Sequence, residues 1–248
     1  MRSFLFVLIG ICSYLLDLGS AHAGYQVISS ETSLDAHRGL IRVDAVIQDG
    51  DNPINRFRYH RILRMDDRGK PRPTKGPIVL LPDRNASFTL YGIGGEGRSL
   101  RDQLALAGYD VYGISPRESL LISDPTVEQC SAIKDWGIDA HAKDAMFVSA
   151  IATYETNQKP LIGGFGFGGE LATLIVSRHP DSYAGLILWE SGLIRNLSCG
   201  DAWNCPLGSM QLQCGTASLR LSHGECVDSS ITAYFRKTIL LGTTFPKG

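Results

Sequence analysis

Apolar and polar residues alternate from Leu40 to Ile47, break at Asp49-Gly50-Asp51-Asn52-Pro53, and alternate again from Phe57 to Leu63. Two half-buried runs around a polar turn predict a β-hairpin. Arg64 to Lys75 is charged and proline-containing, which predicts a solvated connection. Pro77 to Pro82 is continuously apolar, as buried parallel strands are. A loop containing Gly92, Gly94, Gly95 and Gly97 leads to a helical pattern over Ser99 to Ala107, closed by Gly108. Tyr109 to Ile114 is the next strand, left through a loop, Ser115-Pro116-Arg117-Glu118. Asp139 to Tyr154 places Ala142, Ala145, Met146, Ala150 and Ile151 on one helical face, and Lys159-Pro160 stops it. The strand at Pro160-Leu161-Ile162, the turn Gly164-Phe165-Gly166-Phe167-Gly168-Gly169, a helix from Glu170 to Arg178 and a strand from Ala184 to Trp189 complete the pattern. Strands alternating with helices predict an α/β class, with a mostly parallel sheet, right-handed crossovers and helices on both faces.

The two ends of the chain change this picture. Met1-Arg2-Ser3 is a short basic start, Phe4 to Leu16 is apolar, and Ala21-His22-Ala23 has the small-x-small form of a processing site. The apolar run is short of the roughly 20 residues that span a bilayer. Residues 1–23 therefore read as a signal peptide cleaved after Ala23, and the chain as secreted or periplasmic. Cysteine use agrees, because Cys199, Cys205, Cys214 and Cys226 crowd the last fifty residues, as in a disulfide-stapled segment, while Cys130 stands apart. They lack the paired C-x2-C spacing of zinc sites, and no metal is expected. The organisation read from the sequence is a signal peptide over 1–23, an α/β core over 24–195 and a Cys-rich, cap-like segment over 196–248. A formal charge of -1 gives no electrostatic reason to expect nucleic acid as a partner.

The residue with most bearing on chemistry is Gly166. A strand, a tight glycine-rich turn and a helix form the setting of the nucleophile elbow, G-x-S-x-G, yet hydrogen stands where the serine hydroxyl would be. Glycine adopts the positive φ of that position without steric cost, so the bend can persist without the oxygen.

The order of segments resembles the α/β-hydrolase superfamily of esterases, lipases and peptidases over about residues 38–195. The resemblance rests on Ile78 to Pro82, on Leu106 to Ile114, on Gly164 to Gly169 and on Ser177 to Leu188. It implies acyl transfer from small-molecule ester, lipid or peptide substrates to water, without a cofactor. It also places the nucleophile at Gly166, the oxyanion donors at the backbone N–H groups of Phe167 and Arg84, and an acid candidate at Glu190. Where the family's oxyanion loop often begins His-Gly, this chain has Pro82-Asp83. The family's late strands and late histidine have no evident counterpart, so the chain is expected to be incomplete at its C-terminus. His223, the one histidine after the elbow strand's successor, lies among the cap-like cysteines, and His179 fits a helix-end cap. Ser115 is a strand-end hydroxyl with no evident base beside it. Loss of a triad nucleophile costs on the order of 10⁶ in kcat, so hydrolysis is expected to be absent or very weak.

Two further readings stay open. Gly164, Gly166 and Gly169 also satisfy G-x-G-x-x-G, with Glu190 about twenty residues on where a ribose-binding acid would stand. A non-catalytic protein that holds an apolar ligand beside Phe165 and Phe167 is the other.

Overall fold

A computed structural model describes residues 24–189 apart from 67–68, 84–85, 96, 121–132 and 134. The signal segment, the five cysteines beyond it, Arg84, Glu190, His223 and the cap-like segment lie outside the described residues. By internal contacts the chain divides into a unit of residues 1–121 with 137–193 and a second of 122–136 with 194–248. The elements below belong to the first.

Among the described residues one sheet has the order β1-β2-β3-β5-β4-β6-β7. The strands are β1 (Tyr25–Asp35), β2 (Leu40–Asp49), β3 (Arg56–Arg64), β4 (Pro77–Leu81), β5 (Asp110–Ser115), β6 (Leu161–Phe165) and β7 (Gly185–Trp189). The helices are α1 (Leu100–Leu106), α2 (Ile138–Thr156) and α3 (Phe167–Arg178), and single 3₁₀ turns cover Phe88–Gly92, Arg117–Leu120 and Pro180–Ser182. The predicted hairpin is β2 and β3, with Leu40 opposite Arg64 and Gln48 opposite Arg56. The pairings from β1 to β5 are antiparallel, and β5-β4-β6-β7 run parallel, so the sheet is mixed. α1, which joins β4 to β5, packs on one face, while α2, which joins β5 to β6, and α3, which follows β6, pack on the other.

Alternation on β4 and β5 divides the core. Val79, Leu81, Tyr112 and Ile114 face α2 and α3 in one cluster with Ala145, Val148, Ile151, Leu171 and Ile175. Ile78, Leu80 and Val111 face the other way, with Ala105 of α1, Phe88 and Tyr91. Both strands are fully buried, which explains the uninterrupted apolar run of β4 and the apolar centre of β5, Val111 to Ile114, between Asp110 and Ser115.

Helix ends follow local chemistry. Ser99 caps α1 by accepting the Asp102 N–H. α2 ends at Asn157, whose left-handed φ of 53° closes the helix ahead of Lys159-Pro160.

β1 is a strand that periodicity does not predict. Its ten-residue pairing with β2 is broken by a bulge between Val27 and Ser29. It lies at the sheet edge, and most of its Ser, Thr and Glu side chains are exposed, so it carries little apolar alternation. Its tie to the core is Tyr25, stacked on Phe147 with ring centroids 4.1 Å apart and donating its hydroxyl to Asp144. Asp144 is fully buried and also accepts from Arg117 at 2.7 Å, while Arg117 reaches Asp49 at 2.8 Å. Burial raises the Asp144 carboxyl, and the Arg117 bonds oppose that rise.

Candidate active site

The candidate site lies at the C-terminal ends of the parallel strands, where open α/β sheets place their ligands. β6 runs out at Phe165, Gly166 turns the chain, and α3 begins at Phe167. Gly166 has φ 55° and ψ -121°, a sparsely populated conformation that suits glycine. The turn is held from both sides. The Gly166 N–H donates to Trp189 O at 3.1 Å, and Gly166 O accepts from Gly169 and Glu170 in the first turn of α3. A side chain placed here would be presented at the head of the sheet beside the orphan N–H groups of a twelve-residue helix.

That space is occupied from within. The Phe167 N–H donates to Asp83 Oδ1 at 2.8 Å. A Cβ built on Gly166 would lie 2.5 Å from the same oxygen and 2.7 Å from Asp83 Cγ. Asp83 leaves the end of β4 through Pro82, one strand over from β6, so the carboxylate reaches the elbow directly. Its negative charge sits at the positive end of α3, a favourable placement worth about 0.3–1 kcal/mol at an exposed helix start. In an acyl-transfer site the Phe167 N–H would be offered to the oxygen that gains charge. Here a side-chain carboxylate already takes it. Sequence reasoning singled out Pro82-Asp83 as a departure from His-Gly, but the destination of the Asp83 side chain depends on a contact 84 residues apart in the chain.

Phe167 itself packs partly against the α2–α3 cluster, and its ring meets that of His141 edge-on at 6.3 Å. His141 Nε2 is 3.0 Å from Glu118 Oε1. Burial pushes the Glu118 carboxyl up, and the His141 hydrogen bond and charge outweigh it, holding the carboxyl below its usual range.

A second constellation was missed in the sequence. Ser115, at the end of β5, has a histidine beside it. His60 Nε2 is 2.7 Å from Ser115 Oγ, and His60 Nδ1 is hydrogen-bonded to Asp44 Oδ1. The hairpin register puts Asp44 directly opposite His60, and β3 pairs His60 with Gly113, two residues before Ser115 on the same face. The signal was present: a hairpin centred near Asn52 pairs residue 44 with residue 60. Gly113 is required here, because a Cβ would run into the Phe88 ring. Phe88 stacks on His60 at 4.8 Å, and its N–H donates to Ser115 Oγ at 3.0 Å.

Among the described residues no three His, Cys, Asp or Glu side chains are grouped to hold a metal ion, and no helix is long and apolar enough to cross a membrane.

No protein-family model matches the chain, and no curated protein matches it. Solved structures do. A candidate lipase from Sulfolobus solfataricus superimposes with a TM-score of 0.59 at 18% identity, covering 92% of this chain and 72% of that one. A glucuronoyl esterase from Teredinibacter turnerae is similar at a TM-score of 0.44 and 13% identity, covering 68% of this chain, which spans 45% of the esterase's length. At these identities the likeness speaks to architecture. With the 18% identical structure, the strand order and the bend at Gly166, it shows that the chain has the α/β-hydrolase fold.

Proposed function

We propose that this chain is an exported α/β-hydrolase-fold protein whose elbow is closed by its own Asp83 and does not carry acyl transfer. The supporting observation is the pairing of a vacant nucleophile position with an occupied oxyanion donor: Gly166 offers no oxygen, and Phe167 N–H is bonded to Asp83. Either change alone would lower hydrolysis; together they remove both the attacking group and the charge-stabilising one. Substrates of the ancestral site would be small-molecule esters, lipids or peptides, and the chemistry would need no cofactor. Export rests on the signal-like residues 1–23, and β1 begins at Tyr25, two residues after the expected cleavage. A dinucleotide at the same helix start would bring its pyrophosphate against the Asp83 carboxylate, so the hydrolase-derived reading is preferred.

The test is hydrolysis of p-nitrophenyl acetate by the purified chain, its Asp83→Ala variant and its Ser115→Ala variant. The reading expects no turnover that depends on Asp83 or on the elbow. Robust wild-type hydrolysis that survives in Ser115→Ala and collapses in Asp83→Ala would overturn it. Export is tested by the intact mass of protein recovered outside the cytoplasm, which should begin at Gly24.

A further inference from the structure

We infer that Ser115 is a nucleophile in its own right, activated by His60 and positioned through Asp44, and that it takes the acyl group of compact esters. This site is separate from the elbow and goes beyond the reading given for it. The proton order follows from the partners. A carboxylate only accepts, so Asp44 draws the hydrogen of His60 to Nδ1, and the bare Nε2 accepts from the Ser115 hydroxyl at 2.7 Å. That is the sequence of hydrogen bonds by which a histidine serves as general base to a serine. The ring cannot swing away easily, since Phe88 stacks on it at 16° between planes. The path also runs from water inward. The Asp44 side chain is 45% exposed, that of His60 12%, and Ser115 as a residue 2%.

The reaction balances with water as the co-reactant. Ser115 Oγ bonds to the carbonyl carbon of the ester while its proton passes to His60 Nε2. The C–O bond to the alcohol breaks, and His60 returns the proton to the departing oxygen. Water then attacks the acyl-serine, gives a proton to His60, and the carboxylic acid leaves as Ser115 recovers its hydrogen. The 3₁₀ turn Phe88–Gly92, whose Thr89 is exposed, lies against Ser115 through the Phe88 N–H, so entry requires local opening of that turn and favours acetyl-sized groups.

The experiment treats the full chain with methanesulfonyl fluoride, a probe of acetyl size, follows intact mass and maps the modified peptide. Attack of Oγ on sulfur expels fluoride and gives a single adduct, expected at Ser115. Ser115→Ala should give none. His60→Gln should slow labelling by about 100-fold or more, the usual contribution of a positioned base. Asp44→Asn, at a side chain 45% exposed, should slow it markedly with the fold checked by circular dichroism, and Asp44→Glu should restore much of the loss, which a purely structural role for Asp44 would not produce. Absence of an adduct on Ser115 in folded wild-type protein would overturn the proposal. So would equal labelling rates in wild type, His60→Gln and Asp44→Asn.

Discussion

Replacing Gly166 by alanine should destabilise the chain measurably, and the structure says why. The new Cβ would stand 2.5 Å from Asp83 Oδ1, closer than carbon and oxygen approach without a shift. The Asp83 side chain must then leave the Phe167 N–H. A hydrogen bond to a charged group is worth about 1.5–3 kcal/mol. The residue must also hold φ 55° with a side chain, which costs about 1–3 kcal/mol. Together the change should destabilise by about 3–5 kcal/mol, against a total stability of about 5–15 kcal/mol for a typical domain. The two parts separate in a double-mutant cycle. Asp83→Ala alone should cost about 1.5–2 kcal/mol. In that background Gly166→Ala meets no carboxylate and should cost only the backbone strain, so the pair should be less than additive by about 1–2 kcal/mol. Urea unfolding followed by circular dichroism reads all four proteins. Strict additivity, within about 0.3–0.5 kcal/mol, would refute the contact between the two residues.

Other outcomes follow from the polar core. Arg117→Met should destabilise by about 3–5 kcal/mol, because it leaves the fully buried Asp144 carboxylate without its guanidinium; thermal unfolding measures this. At Asp102, burial raises the carboxyl, but the Gly97 N–H and Arg42 outweigh it and hold it below the usual range. A depressed folded pKa stabilises above the unfolded value near 4 and loses that contribution as pH falls through the folded one. The stability difference between wild type and Asp102→Asn should accordingly be full at pH 6–7 and shrink steadily below about pH 4; a difference independent of pH would contradict the assignment.

How much of this was legible in the sequence depends on how local the cause is. The hairpin, β4, β5, β6 and β7 and the three helices were readable because burial on one face or both imprints apolar periodicity on contiguous residues. α3 starts three residues earlier than its apolar pattern suggests, since Phe167 to Gly169 belong to its first turn. β1 left no imprint, being an edge strand with exposed polar side chains. The strand order, in which β5 lies between β3 and β4, is set by pairing between distant segments and joins an antiparallel half to the parallel one. The site shows the same division. The bend at Gly166 is a local pattern and was found in the sequence. Asp83 on Phe167 and His60 on Ser115 join residues 84 and 55 apart, and only the assembled sheet brings them together. For Ser115 the missing base was in view once the hairpin register was followed to Asp44 and His60.

The central claim, that the elbow keeps its shape and is closed by Asp83, is tested most directly by amide hydrogen exchange at Phe167. Its N–H heads α3 and finds its acceptor in the Asp83 carboxylate. Protection of the Phe167 amide in wild type, lost in Asp83→Ala while amides within α3 stay protected, is the predicted result. A Phe167 amide that exchanges freely in the wild-type protein, or one equally protected without Asp83, would contradict it.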